Sequence, residues 1–288
     1  MRYPQQNRRL LVHMFAAALI VCGCGPELKL TKRICPGKRT AGESWDVLNA
    51  HSENALSLRA NGQCRLRYYA ERREHNENFP VKLWANPPAE IYLQGDVAFD
   101  ARGIVLGSNE DEFWLAMKPK EISGYWWGRW SDANCPEMLM ISPKLVLEGF
   151  GIVALDSGGS NWRLSNEGGF DVLTKHNTRG VIQKRIYVNC CDYLIEKVEY
   201  FDARGEAIAV VEMDKYKEVS EGFFVPSAIK ITTYGEHAVE DAVEVNFSLG
   251  SLKVASFTDR QRDRLFTRPE PRGFEHIYKI VDGEMIEQ

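Results

Sequence analysis

From residue 62 onward the apolar side chains of this chain recur at every second position, the period of a strand with one buried face. Cys64, Leu66, Tyr68 and Ala70 alternate with polar neighbours, as do Ile91, Leu93, Val97 and Phe99, and again Phe113, Leu115 and Met117. Turn chemistry separates these runs at Asn86-Pro87-Pro88, at Asp100-Ala101-Arg102-Gly103 and at Ser108-Asn109-Glu110-Asp111. Further strands are predicted near residues 170–175, 181–189, 193–201, 207–217, 224–232 and 242–254. The pentapeptide Phe-Asp-Ala-Arg-Gly occurs at Phe99 to Gly103 and at Phe201 to Gly205, and is predicted to make the same hairpin turn in both places.

Three segments depart from this period. Thr40-Ala41-Gly42-Glu43 has the form of a capping box, in which hydroxyl and carboxylate each satisfy an orphan backbone N–H, so a helix is predicted to begin there. Trp45, Leu48, Ala55 and Leu58 give it one apolar face, and Asn61-Gly62 supplies a left-handed stop, which places the helix over residues 41–60. A short central helix is predicted from Ser142-Pro143, with serine at the N-cap and proline at the first helical position, to the glycines at 149 and 151. A brief charged helix is predicted at residues 259–266, before a last apolar-patterned stretch. The fold class predicted is therefore mainly β: one long antiparallel meander with an N-terminal helix and a short central one.

The first residues differ in kind. Arg2, Arg8 and Arg9 precede the apolar run Leu10 to Val21, too short for a membrane-spanning helix and of signal-peptide form. It ends Val21-Cys22-Gly23-Cys24-Gly25, with a small residue directly before a cysteine. That is similar to the lipobox of bacterial lipoproteins, whose cysteine takes a diacylglycerol and becomes the new N-terminus. Cys24 fits better than Cys22, which follows bulky Val21. The organisation expected is a signal peptide over 1–23, a basic tether over 24–39 and a single folded domain over 40–288.

A net charge of -4 leaves no electrostatic footprint for nucleic acid. Five cysteines remain beyond Cys22 and Cys24, namely Cys35, Cys64, Cys135, Cys190 and Cys191, an odd number whose spacing fixes no connectivity. The adjacent Cys190-Cys191 pair lacks the spacing and the nearby histidines of a zinc site. Asp156-Ser157-Gly158-Gly159-Ser160 is neither a nucleophile elbow nor a phosphate loop, and no two carboxylates are paired for acid and base work. The sequence therefore predicts no enzyme, no catalytic residue, no metal and no cofactor.

In element order the chain resembles the LolA/LolB family of lipoprotein carriers and its wider superfamily, which includes the stress sensor RseB and mycobacterial lipid carriers. The resemblance covers residues 40 to 255. It rests on a lipidated or secreted N-terminus, the first helix, Ile91-Tyr92-Leu93-Gln94-Gly95, and residues 108–115 ending in Phe113-Trp114-Leu115. It continues through Tyr125-Trp126-Trp127-Gly128-Arg129-Trp130, Ile141-Ser142-Pro143, and Lys184-Arg185-Ile186-Tyr187-Val188. It implies an open, curved antiparallel half-barrel with helices on the concave face and an apolar cavity between them. Its partners would be lipid or lipoprotein acyl chains, in transfer at the outer membrane, and its alternative is an RseB-like regulatory or structural envelope module without transfer activity. Gly25, where sorting to the inner membrane uses an aspartate, favours the outer membrane.

Candidate cavity residues are Leu93, Val97, Phe99, Phe113, Leu115 and Met117, which point to one strand face. Trp126, Trp127 and Trp130 are candidates for a cavity rim or a membrane contact, since amphipathic rings suit an interface. The anchor expectation is tested at Cys24. Cys24→Ser should remove the acyl mass from the N-terminal peptide and move the protein out of the detergent phase of a two-phase separation. An unsubstituted chain that partitions into the aqueous phase contradicts it.

Overall fold

The computed structural model describes residues 35–70, 73–97, 100–120, 122–132, 142–151, 161–235 and 238–288. Cys24, Phe99, Cys135 and the 156–160 loop lie outside the described residues. The elements are α1 (Ala41–Glu53), β1 (Leu58–Ala70), β2 (Arg73–Asn86), β3 (Glu90–Val97), β4 (Asp100–Ser108), β5 (Glu112–Met117) and β6 (Gly124–Arg129). After α2 (Pro143–Gly149) come β7 (Trp162–Glu167), β8 (Phe170–His176), β9 (Ile182–Asn189), β10 (Ile195–Phe201), β11 (Ala207–Ser220), β12 (Phe223–Gly235) and β13 (Ala238–Val254). The chain ends with α3 (Asp259–Phe266), β14 (His276–Val281) and β15 (Glu284–Glu287).

All the described strands belong to one 15-stranded sheet in the order β15-β14-β6-β5-β4-β3-β2-β1-β13-β12-β11-β10-β9-β8-β7. Two meanders, β1 to β6 and β7 to β13, are joined where β1 pairs antiparallel with β13. The last hairpin extends the sheet beyond β6 by a parallel pairing of β14. The sheet is strongly curved, and the contacts of α2 show it. This helix touches β4 and β5 as well as β11 and β12. In sheet order β4 and β12 are five places apart, ~24 Å on a flat sheet at the usual strand spacing, and no single helix of ordinary girth spans that. The sheet wraps around it, and the observed architecture is the open half-barrel with helices on the concave face.

One continuous core fills that concavity, with buried side chains from β1 (Leu58, Leu66), β2 (Phe79, Leu83), β5 (Phe113, Leu115, Met117) and β12 (Val225, Ile229), closed by Leu145, Val146 and Phe150 of the α2 segment. A second, smaller core lies on the opposite face of the same sheet. Val105, Trp114, Ala116 and Tyr125 are buried there, with Tyr92, Trp127, Phe274 and Ile277 packed against them. Residues 267–275 cross this face as a strap: the Tyr125 hydroxyl donates to the Pro269 carbonyl at 2.7 Å, and Arg268 lies 4.0 Å from the Trp127 ring centre while pairing with Glu112 at 2.8 Å. Strands buried on both faces read as unbroken apolar runs. Phe113-Trp114-Leu115-Ala116-Met117 is such a run. Gly107 permits the convex packing, since a Cβ there would sit 2.3 Å from the Trp114 ring.

Three expectations need correction. The first helix stops at Glu53, with Asn54 as C-cap, and Leu58 is the first residue of β1. Leu58, Ala60, Cys64, Leu66 and Tyr68 form a longer period-two series than the helical spacing that linked Ala55 and Leu58. Asn61-Gly62 is a register shift in β1, where a Cβ on Gly62 would meet the Ser248 carbonyl at 2.3 Å. The repeated pentapeptide does not make the same turn twice. Asp202 caps the 202–206 turn by accepting from the backbone N–H of Arg204 and of Glu206, whereas Asp100 to Gly103 already belong to β4, with Arg102 at φ 63 held by a bond to Asp96. β2 is a strand beyond those expected, in which Phe79, Val81, Leu83 and Ala85 alternate as clearly as any other set.

Trp45 anchors α1 against the sheet, 7% exposed and edge-on to Trp162 of β7 at 4.9 Å. Trp45→Ala should destabilise the fold by ~3–5 kcal/mol, read from urea unfolding. An unchanged midpoint would show that α1 is not part of the cooperative unit.

Candidate functional site

A cleft opens from the concave core between α1, α2 and the β10 to β12 end of the sheet. Its walls are mostly apolar: Leu48 of α1, Leu194 and Ile195 at the start of β10, Met213 of β11, and Phe223 and Pro226 of β12. Asn49, His51 and Ser52 line one side, Tyr193 and Tyr216 the other, and Glu148 of α2 the inner end. The cavity volume is about 80 Å³. At the mouth Phe224 is 38% exposed, unusual for a ring of that size. Tyr193 and Tyr216 face the cleft with neutral hydroxyls, since burial pushes both phenols above their usual range and the Asp171 carboxylate adds to the effect on Tyr193.

The inner end is fastened by a buried polar cluster. Glu148 accepts a bond from Lys184 of β9 at 2.6 Å and another from the Tyr200 hydroxyl of β10, while the Lys184 ammonium lies 4.9 Å from the Tyr200 ring centre. The Glu148 and Lys184 side chains are 5% and 11% exposed. Burial and the Glu148 carboxylate hold the Tyr200 hydroxyl protonated. These bonds tie the lid helix to one half of the sheet, while its Leu145, Val146 and Leu147 pack into the core.

A second polar cluster fixes the approach to α1. Asp171 of β8, wholly buried, accepts from the Lys38 backbone N–H at 2.9 Å, Asn166 Nδ2 at 2.6 Å and the Tyr193 hydroxyl at 2.8 Å. Gly37 passes so close that a Cβ there would lie 2.2 Å from Asp171 and Asn166. Cys35 and Cys191 form a disulfide that binds the same segment to the turn after β9, one pairing among those that the sequence left open. Cys190 stays a thiol and donates to Asp171, its pKa pushed up to about 11 by burial and by that carboxylate. Among the described residues no group of three or more His, Cys, Asp or Glu side chains could hold a metal ion.

The residues singled out from the sequence fall elsewhere. Leu93, Val97, Phe113, Leu115 and Met117 share the concave face and are buried together in the main core, but none borders the cleft. The tryptophans are not gathered on one surface. Trp126 is in the concave core, stacked on Tyr278, and Trp127 faces the strap on the convex side. Trp130 packs on Phe113 and donates its indole N–H to the Asn109 carbonyl. The cleft residues come from five elements, and only the half-buried apolar character of some of them in the second meander points to them.

An open half-barrel of one antiparallel sheet, with short helices in its concavity, is the LolA/LolB-like fold. No family model matches this chain, and no curated protein matches it in sequence. Among solved structures it is similar to an outer membrane lipoprotein-sorting protein domain from Vibrio parahaemolyticus, at 14% identity and a TM-score of 0.52, over 76% of this chain and 94% of that one. A LolA superfamily protein from Nitrosomonas europaea aligns over 80% of this chain and 99% of its own at 15% identity and a TM-score of 0.49. A DUF1329 family protein from Desulfovibrio piger aligns over 79% and 97% at 10% identity and a TM-score of 0.49. The likeness to the Vibrio domain is one of fold.

The lid cluster yields a stability prediction. Lys184→Met leaves the Glu148 carboxylate buried without its cation and should cost ~3–5 kcal/mol. Adding Glu148→Gln, which removes the charge but still accepts from Tyr200, should restore most of that loss in urea unfolding. A double variant no more stable than Lys184→Met contradicts the assigned pairing.

Proposed function

We propose that this chain is a non-enzymatic binding protein of the cell envelope that takes an acyl chain of a lipid or lipoprotein into the cleft beneath α1 and α2, while lipid on Cys24 holds it to the outer membrane. The observation that carries this reading is an apolar-walled cleft continuous with the concave core, under two helices of 13 and 7 residues. Each methylene removed from water contributes ~0.8 kcal/mol, so a partly inserted chain binds usefully without a specific polar contact. A cleft of about 80 Å³ admits only the end of such a chain. Deeper insertion requires α2 to lift from β4, β5, β11 and β12, which would bring the chain onto the face carrying Leu115 and Met117. Transfer between membranes is the role this reading assigns.

Full-length protein purified from a bacterial membrane fraction should yield non-covalently bound lipid on organic extraction, identified by mass spectrometry. Leu194→Glu, half-buried at the cleft wall, places a carboxylate where the chain enters and should weaken fluorescent fatty-acid binding about tenfold while leaving the unfolding midpoint near that of the parent. Absence of extractable lipid together with no fatty-acid binding by the parent protein contradicts the proposal.

A further inference from the structure

The convex face carries a groove separate from the cleft. It lies between α3 and strands β2 to β4, has a cavity volume of about 310 Å³, and is lined by Trp84, Tyr92, Gln94 and Arg102 of the sheet and Gln261, Arg264 and Leu265 of α3. That volume is in the range of small-molecule sites. Trp84 and Tyr92 sit opposite one another in register on β2 and β3, their ring centres 5.8 Å apart and their planes tilted by 48°. Both are half-buried on the side of the sheet opposite Leu83 and Leu93, which belong to the concave core.

The groove is positively charged, with two arginines and no carboxylate in its lining. Arg102 and Arg264 are exposed, have no ion-pair partner among the described residues, and are both close enough to raise the potential at Tyr92. Two carboxylates near the groove, Glu90 and Asp96, are already bonded. Glu90 takes two bonds from Arg262 at 2.9 and 3.2 Å. Asp96 accepts from Gln94 Nε2 at 3.0 Å and from the Arg102 backbone N–H at 2.9 Å, with Lys82 at 3.9 Å. Asp96 therefore orients the Gln94 amide and holds Arg102 in its left-handed conformation.

Two aromatic faces, two side-chain amides and two free guanidinium groups define a ligand with C–H faces, hydroxyls and a negative charge. We propose that this groove binds an acidic saccharide, with a sugar ring against Trp84 and Tyr92, hydroxyls on Gln94 and Gln261, and a carboxylate between Arg102 and Arg264. Guanidinium groups pair with carboxylates through two parallel bonds, which gives such a site direction as well as charge. An extended peptide fits less well, because β2, β3 and β4 are each paired on both sides and offer no free edge for strand addition. A lipid tail fits less well again, since arginine and glutamine would have to be desolvated to seat it.

Calorimetric titration of the detergent-solubilised full chain with trigalacturonate tests this, with maltotriose as the uncharged control and oligoglutamate as the acidic non-sugar control. Saturable binding of trigalacturonate is expected, weakened about tenfold by Arg264→Ala or by Arg102→Ala, as loss of a charged hydrogen bond would do. It should also weaken as salt is raised. Arg264 is exposed on α3, so that variant should keep the parent's unfolding midpoint and its fatty-acid binding, which separates this site from the cleft. No binding of trigalacturonate, binding unaffected by both arginine variants, or equal binding of maltotriose or oligoglutamate would overturn the proposal.

Discussion

A sheet in which β1 to β5 and β8 to β13 turn an apolar row to one side must bury that side, and the rest of this structure follows from how it does so. Fifteen strands would make a very wide flat floor. Curvature shortens the problem by folding the floor on itself, so that β4 and β5 share one short helix with β11 and β12. The remainder falls to α1 and α2. Seven residues of α2 close the middle, and the cover runs thin towards β10 and β12, where the apolar cleft remains.

The two halves of the sheet solve their other face differently. In the first meander the convex side of β4 to β6 is apolar and covered by the strap at 267–275, which leaves that region packed on both faces. Across β1, β10 and β13 the convex side is instead an array of ion pairs in water, such as Arg67 with Glu244 at 2.6 Å and Lys197 with Glu199 at 2.7 Å. Such half-exposed pairs contribute little to stability. Their effect is to keep this part of the surface soluble. The cleft therefore lies on the half with one covered face, where local opening costs less, and the convex groove lies against the half with two.

Much of the fold was legible because strand periodicity is a local signal. The strands β8 to β13, the Ser142-Pro143 helix start and the α3 segment are readable from spacing and composition, whereas β7 is not. The confusion at Ala55 and Leu58 arose because one apolar residue belongs equally well to a helical and to a strand series, and only the continuation through Ala60 decides. The convex core is hidden in the sequence for a different reason. Reading alternate residues in Phe113 to Met117 hid the fact that Trp114 and Ala116 are apolar too, which is the mark of burial on both faces. The cleft was not legible at all, since Leu48, Glu148, Leu194 and Phe223 meet only through the curvature of the sheet.

The central claim is that the concavity admits an acyl chain by way of the cleft. Diffraction from crystals grown with palmitate brominated at its terminal carbon tests it most directly, because the halogen's anomalous signal marks where the chain ends. The account predicts a peak inside the concavity, between α2 and strands β11 and β12, with α2 displaced from its position over β4 and β5. A peak confined to the convex surface, or an unoccupied concavity with α2 in place at saturating palmitate, would contradict it.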